Sequence, residues 1–223
     1  MSLNYQLFTI TMIIVGTLSQ FPIPKTKEGY QVGNPTSAVT LDIFLDLHCP
    51  NSKDTFEMLM NAKDQELNGK PVRELLDIKI HVFPLPYHHN SYLAAVAEKY
   101  LELHHPELVL DFYQLMFNSI PKYTSESVNL DQLTIQNLLI DDVVTLLGST
   151  KDEKVYSLFS DDEVNSKART GFKYGSYHGV TATPNTLVNN VLVNVNWTKP
   201  EELLSYFKDF FPAEQPTMKT LLK

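Results

Sequence analysis

"FLDLHCPNSKDTF", residues 44–56, runs an apolar stretch into Cys49-Pro50 and on into a helical pattern. Upstream, residues 39–47 are β-branched, aromatic and almost continuously hydrophobic, which predicts a strand in the middle of a sheet. Pro50 suits the first turn of a helix, where its missing N–H costs nothing. Phe56, Leu59 and Met60 share one face of that helix, and Asn68-Gly69 is expected to cap its C-terminus. Cys49 is the only cysteine in the chain. Ser52 stands three residues on, where a second sulfur would complete a Cys-x-x-Cys pair, so this turn cannot close a disulfide on itself.

The chemistry of such a turn follows from its position. A thiol at a helix N-terminus meets free N–H groups and the positive end of the helix dipole, both of which favour the thiolate. The thiolate is the attacking and leaving species in disulfide exchange. Ser52, one turn along, is expected to donate a hydrogen bond to the sulfur. His48 can add positive charge, although side chains alternate along a strand and its ring can face away. The competing reading of Cys49 is a small buried hydrophobe without chemistry. Its place at a strand-to-helix junction favours a partly exposed, functional thiol.

Outward from this turn, "IKIHVF" (78–83) alternates as a second strand. A helix between two sequential strands implies a parallel pair with a right-handed crossover. Asn90 or Ser91 can cap a helix with apolar positions Leu93, Val96, Ala97 and Tyr100. Helical periodicity continues in "PELVLDFYQLMF" (106–117), "LTIQNLLIDDVVTLL" (133–147) and "DDEVNSKARTGFKYGSY" (161–177). The period then returns to two. "TLVNN" and "VLVNV" are short strands meeting at Asn189-Asn190, a pair that tolerates the positive φ of a tight turn. Thr198 with Glu201 is expected to form a capping box before "PEELLSYFKDFF". The order is β-α-β, a helical insert over about residues 90–178, then β-β-α.

That order, with a Cys-Pro turn after the first core strand, resembles the thioredoxin fold, an α/β architecture. The inserted all-helical subdomain narrows the resemblance to the DsbA-like thiol oxidoreductases. Three patches carry it: "GNPTSAVTLDIFLDLHCPNS" (33–52) looks like the strand and active-site turn, "FPLPYHHNSYLAA" (83–95) like the strand exit into the first inserted helix, and "GVTATPNTLVNN" (179–190) like the Thr-Pro loop before the last hairpin. The resemblance implies a cis Pro184, and with it a backbone edge near Cys49 able to pair with an extended peptide. It implies catalytic roles for Cys49, Pro50 and Ser52, and substrate contacts at Thr183, Pro184, His48 and His88. Dithiol members often keep a buried acid six positions before the cysteine. Here that position is Ile43, and Asp42 and Asp46 have the wrong strand parity unless a bulge intervenes.

The sequence of 223 residues carries a net charge of −8, which argues against nucleic acid and against an anionic membrane surface. One cysteine excludes an internal disulfide framework and a multi-Cys zinc site. His88-His89 and His104-His105 read as solvated or capping pairs rather than a metal site. Residues 1–20 read as a signal peptide with an apolar run from Leu7 to Leu18, the alternative being an N-terminal arm packed on the domain. Residues 21–223 then form a single domain in a secreted or endoplasmic-reticulum protein, or in a cytoplasmic one if no leader is present. Asn196-Trp197-Thr198 is a glycosylation sequon.

The expected function is monothiol exchange through Cys49 with protein or glutathione mixed disulfides, with no bound cofactor and glutathione as a possible co-substrate. The partner would be an extended peptide or protein thiol client. The alternative is a redox-silent binding or chaperone-like module using the groove beside Pro184. A glutathione-transferase or isomerase relative on the same fold fits Cys-Pro-x-Ser less well.

Overall fold

The computed structural model describes residues 27–148, 150–195 and 197–211. Residues 1–20, expected to be a leader, and Asn196 of the sequon lie outside these residues. β1 (Tyr30–Gln31) is followed by β2 (Thr40–Leu45), whose residues Leu41 to Leu45 are all fully buried. α1 (Pro50–Ala62) crosses over to a small hairpin, β3 (Glu66–Leu67) and β4 (Lys70–Pro71), then to α2 (Val72–Leu75) and β5 (Asp77–Val82). β2 and β5 pair in parallel, with Leu41 opposite Ile78 and Ile43 opposite Ile80.

The helical insert holds α3 (Ser91–His104), α4 (Val109–Asn118), α5 (Ile120–Tyr123), α6 (Gln132–Leu147) and α7 (Asp162–Tyr177). α3 packs against α4, α6 and α7 and buries Val96, Ala97, Tyr100 and Leu101. The chain then returns to the sheet through β6 (Asn185–Val188) and β7 (Val191–Val193) and ends in α8 (Pro200–Phe207), which lies against α1. Among the described residues the main sheet runs β1-β5-β2-β6-β7, with β6 and β7 antiparallel to β2 and to each other respectively. No described helix is long and apolar enough to cross a membrane.

Local physics explains the elements that match expectation and those that do not. Asn189 and Asn190 take φ of 50° and 63°, the left-handed turn their side chains tolerate. Asn68 and Gly69 also have positive φ, 52° and 84°, but they turn the β3–β4 hairpin and do not cap α1. The helix stops at Ala62 because the chain beyond is drawn into that hairpin: Val72 N–H donates to Gln65 O and Arg73 N–H to Lys63 O. At α8 the cap is shifted by one residue from expectation. Glu202, not Glu201, accepts from the backbone N–H groups of Thr198 and Lys199. β1, in the stretch before β2, pairs antiparallel with β5.

Candidate active site

Cys49 is the N-cap residue of α1, in extended geometry (φ −93°, ψ 121°), with Pro50 in the first turn. Its N–H donates to Asp46 O, and its carbonyl accepts from Lys53 N–H, so the turn is closed on both sides. The thiol donates to the carbonyl oxygen of Thr183 at 3.5 Å. The Thr183–Pro184 peptide bond is cis. Two segments 134 residues apart thus meet at one sulfur. The thiol is not the partly exposed group expected: Cys49 is 6% exposed, covered by the Thr183 loop, while Pro50 and Asn51 beside it are open to solvent.

Asp46 holds this turn in place. It is fully buried, and each carboxylate oxygen accepts two hydrogen bonds. Oδ1 accepts from His48 N–H (2.8 Å) and the Ser91 hydroxyl (2.7 Å). Oδ2 accepts from Leu85 N–H (2.7 Å) and pairs with His88 Nδ1 (2.9 Å). A buried carboxylate is tolerable only with this kind of saturation. Through it the Cys49 turn, the loop after β5 and the first turn of α3 become one unit. Sequence reasoning compared Asp46 with the missing acid and passed over this role, because three of its four partners lie 39–45 residues away.

The remaining site residues depart from expectation in instructive ways. His48 does not bring positive charge. Its ring is 1% exposed and stacked on Tyr123 at 5.4 Å, and desolvation pulls its pKa down to about 4 despite the opposing charge of Asp46. Its Nδ1 lies 3.2 Å from the Ser91 hydroxyl, and its Nε2 has no partner among the described residues. Ser52 is fully buried, and its Oγ accepts from Asp46 N–H at 3.1 Å. The expected Ser52 bond to the sulfur is not among the bonds of the described residues, since helix geometry turns the hydroxyl back toward the strand end.

Ile43 lies fully buried between Ile80 and Thr186, and β2 keeps continuous register with both neighbours, so no bulge brings an acid to its place. Asp42 is engaged elsewhere, with His81 Nε2 at 2.8 Å. That histidine is buried with its ring stacked near those of Phe44 and Tyr174, and desolvation lowers its pKa.

Two cavities flank this unit on different elements. One, of about 430 Å³, is lined by Asn51, Thr183, Pro184, Asn185 and the 192–195 segment of the last hairpin. It adjoins the Cys49 turn and exposes uncharged amides and aliphatic side chains. Thr183 Oγ1 is buried with no partner among the described residues. The other, of about 520 Å³, lies between the loop after β5 and α7, and His88 lines it. Of the four expected substrate contacts, then, Thr183 and Pro184 share a cleft, His88 borders the other cavity, and His48 is packed beneath the turn.

No family model matches this chain, and no curated protein matches its sequence. Solved structures do. The chain is similar to a candidate protein-disulfide isomerase from Pseudomonas syringae (16% identity, TM-score 0.64, covering 80% of this chain and 97% of that one). It is also similar to BdbD from Bacillus subtilis (20%, 0.59, 81% and 91%). A third likeness is to MdbA, a thiol-disulfide oxidoreductase from Corynebacterium diphtheriae (13%, 0.54, 82% and 95%). The chain therefore has the thioredoxin-like fold of these DsbA-like structures, with the helical insert between the β-α-β and β-β-α halves.

Proposed function

We propose that the chain is a monothiol thiol-disulfide oxidoreductase acting through Cys49 on protein or glutathione mixed disulfides. The observation that carries this reading is the meeting of Cys49 Sγ with the Thr183 carbonyl beside the 430 Å³ cleft. An extended segment in that cleft, paired along Thr183 and Asn185, would bring its own disulfide to the sulfur. Cys49 loses its proton to solvent and attacks one sulfur of R–S–S–R′. The S–S bond breaks, Cys49–S–S–R forms, and R′S⁻ leaves with the electron pair. With no second cysteine in the chain, an external thiolate such as glutathione must attack the R sulfur. That step returns the Cys49 thiolate and releases R–S–S–G, so the enzyme ends as it began. An oxidising compartment outside the cytosol would supply such mixed disulfides, in keeping with a leader at residues 1–20.

The test is turnover of a glutathionylated peptide with glutathione as the second thiol. Wild type should turn over, Cys49→Ser should not, and intact mass should show one glutathione on wild type alone. Insulin reduction should be negligible, because no resolving thiol exists.

The burial of Cys49 and the apolar residue at position 43 favour a second reading, a redox-silent peptide-binding module. Under that reading wild type and Cys49→Ser bind an extended peptide equally and neither turns over. Equal turnover by both proteins would overturn the exchange mechanism outright.

A further inference from the structure

The 520 Å³ cavity takes no part in the exchange step, and its chemistry differs from that of the cleft beside Cys49. Its volume falls in the range of small-molecule sites. Its walls are mainly apolar, with Leu85 and Pro86 on the loop after β5, Tyr92 on α3 and Phe172 on α7, and His88 and His89 also line it. Both sides are held rigidly. Leu85 N–H is tied to Asp46, and Phe172 stacks on the buried Phe83 at 5.0 Å with ring planes 13° apart. At its rim stand Arg169 and Lys173, one turn apart on α7 and so on one face of that helix. Arg169 lies within electrostatic reach of the Tyr92 hydroxyl on the opposite wall. No carboxylate lines the cavity among the described residues, in a chain whose net charge is −8. A guanidinium over an apolar pocket that no described carboxylate lines is a local complement to one anionic head on an apolar body.

We propose that this cavity binds a small amphipathic carboxylate, its apolar body against Phe172, Leu85 and Pro86 and its carboxylate at Arg169. Arg169 suits that task because its planar guanidinium can hold a carboxylate through two parallel hydrogen bonds. The site is independent of the thiol and stands whether or not Cys49 exchanges disulfides.

The probe is decanoate, titrated calorimetrically into the full chain, with decanol as the neutral counterpart of equal length. Decanoate should bind once per chain and more tightly than decanol by at least about tenfold, the value of a charge-assisted hydrogen bond. Arg169→Gln, an exposed substitution, should weaken decanoate by a similar factor and leave decanol unchanged. Amide chemical-shift changes should centre on residues 85–92 and 169–173, and Cys49→Ser should bind decanoate as wild type does. Equal binding of acid and alcohol, no effect of Arg169→Gln, several sites per chain, or shifts centred on the Pro184 cleft would each overturn the assignment. Selective binding of peptides through a C-terminal carboxylate, with decanoate inert, would likewise overturn it in favour of a protein ligand.

Discussion

Asp46 and His48, three and one residues before the sulfur, set the character of the site more than the residues of the Cys-x-x-Ser turn do. Replacing Asp46 with Ala would strand the N–H groups of His48 and Leu85 inside the protein, while the Ser91 hydroxyl keeps His48 Nδ1 as a partner. Each orphaned buried donor costs ~1–3 kcal/mol, so a loss of at least about 2 kcal/mol is expected by urea denaturation. His48 makes a prediction about pH. Its folded pKa, about 4, lies below the usual 6.5, so between those values the unfolded chain binds a proton that the folded chain refuses. Stability should therefore fall as pH drops from 6.5 toward 4. At about 1.4 kcal/mol per pH unit of separation, the loss is at most about 3.5 kcal/mol. His48→Phe, which keeps a ring against Tyr123, should remove that part of the slope; urea midpoints of the two proteins across this range measure it. Asp46 and His88 are the groups whose charges act on this ring, with Tyr123 stacked on its face, and His88→Gln as a second background separates the His88 contribution.

At the scale of elements, the contact of α7 with the sheet is sharply specified. A Cβ on Gly175 would stand 2.5 Å from Phe83 Cδ2 and 3.3 Å from Phe44 Cδ1. Phe83 is buried and stacked on Phe172, so it cannot swing away. Gly175→Ala should thus destabilise by about 1–3 kcal/mol through overpacking, against the ~1 kcal/mol that alanine offers a helix; thermal melting decides the sign. In the β6–β7 turn, Asn190→Ala removes the short polar side chain that makes left-handed backbone tolerable and should cost about 1 kcal/mol.

What could be read at this scale depended on length. The buried run before Cys49 and the long helices of the insert announce themselves through several turns or pleats of periodicity. β1, β3 and β4 have two residues each, too few for any period to form. Asn-Gly at 68–69 signals positive φ, but a helix end and a hairpin turn ask for the same conformation, and only the long-range pairing of Val72 and Arg73 decides between them. Likewise, the Cys49 turn was legible from local residue types, whereas the thiol's cover and the fourfold bonding of Asp46 depend on segments far along the chain.

The molecule as a whole is tied together by a second buried charge cluster, remote from the thiol. Lys99 on α3 is buried between Glu28 (3.3 Å), Glu102 and Glu98 (3.5 Å), and Tyr113 on α4 donates to Glu98 at 2.9 Å. One cation cannot hold three neighbouring anions in a dry interior. Glu98, the least solvated, keeps its proton longest: desolvation raises its pKa to about 7 in spite of Lys99. The sign here is opposite to that of His48. Between pH 4.5 and about 7 the folded chain holds a proton that the unfolded chain has released, so this group's effect is a loss of stability as pH rises through that window. Glu98→Gln should flatten that decline, seen as a smaller drop in urea midpoint from pH 5 to 7. The two clusters together predict a stability maximum that shifts upward in pH for Glu98→Gln and downward for His48→Phe.

The outermost strands of the sheet, β1 and β7, run for only two and three residues. A margin so short exposes few free backbone donors and acceptors, too few to seed stacking of one copy on another. Under the proposed exchange with extended peptides, the clients are segments able to add a strand. Along β7 such a segment can engage briefly and find no further edge to extend upon, so contact at this border ends in release and not in co-aggregation.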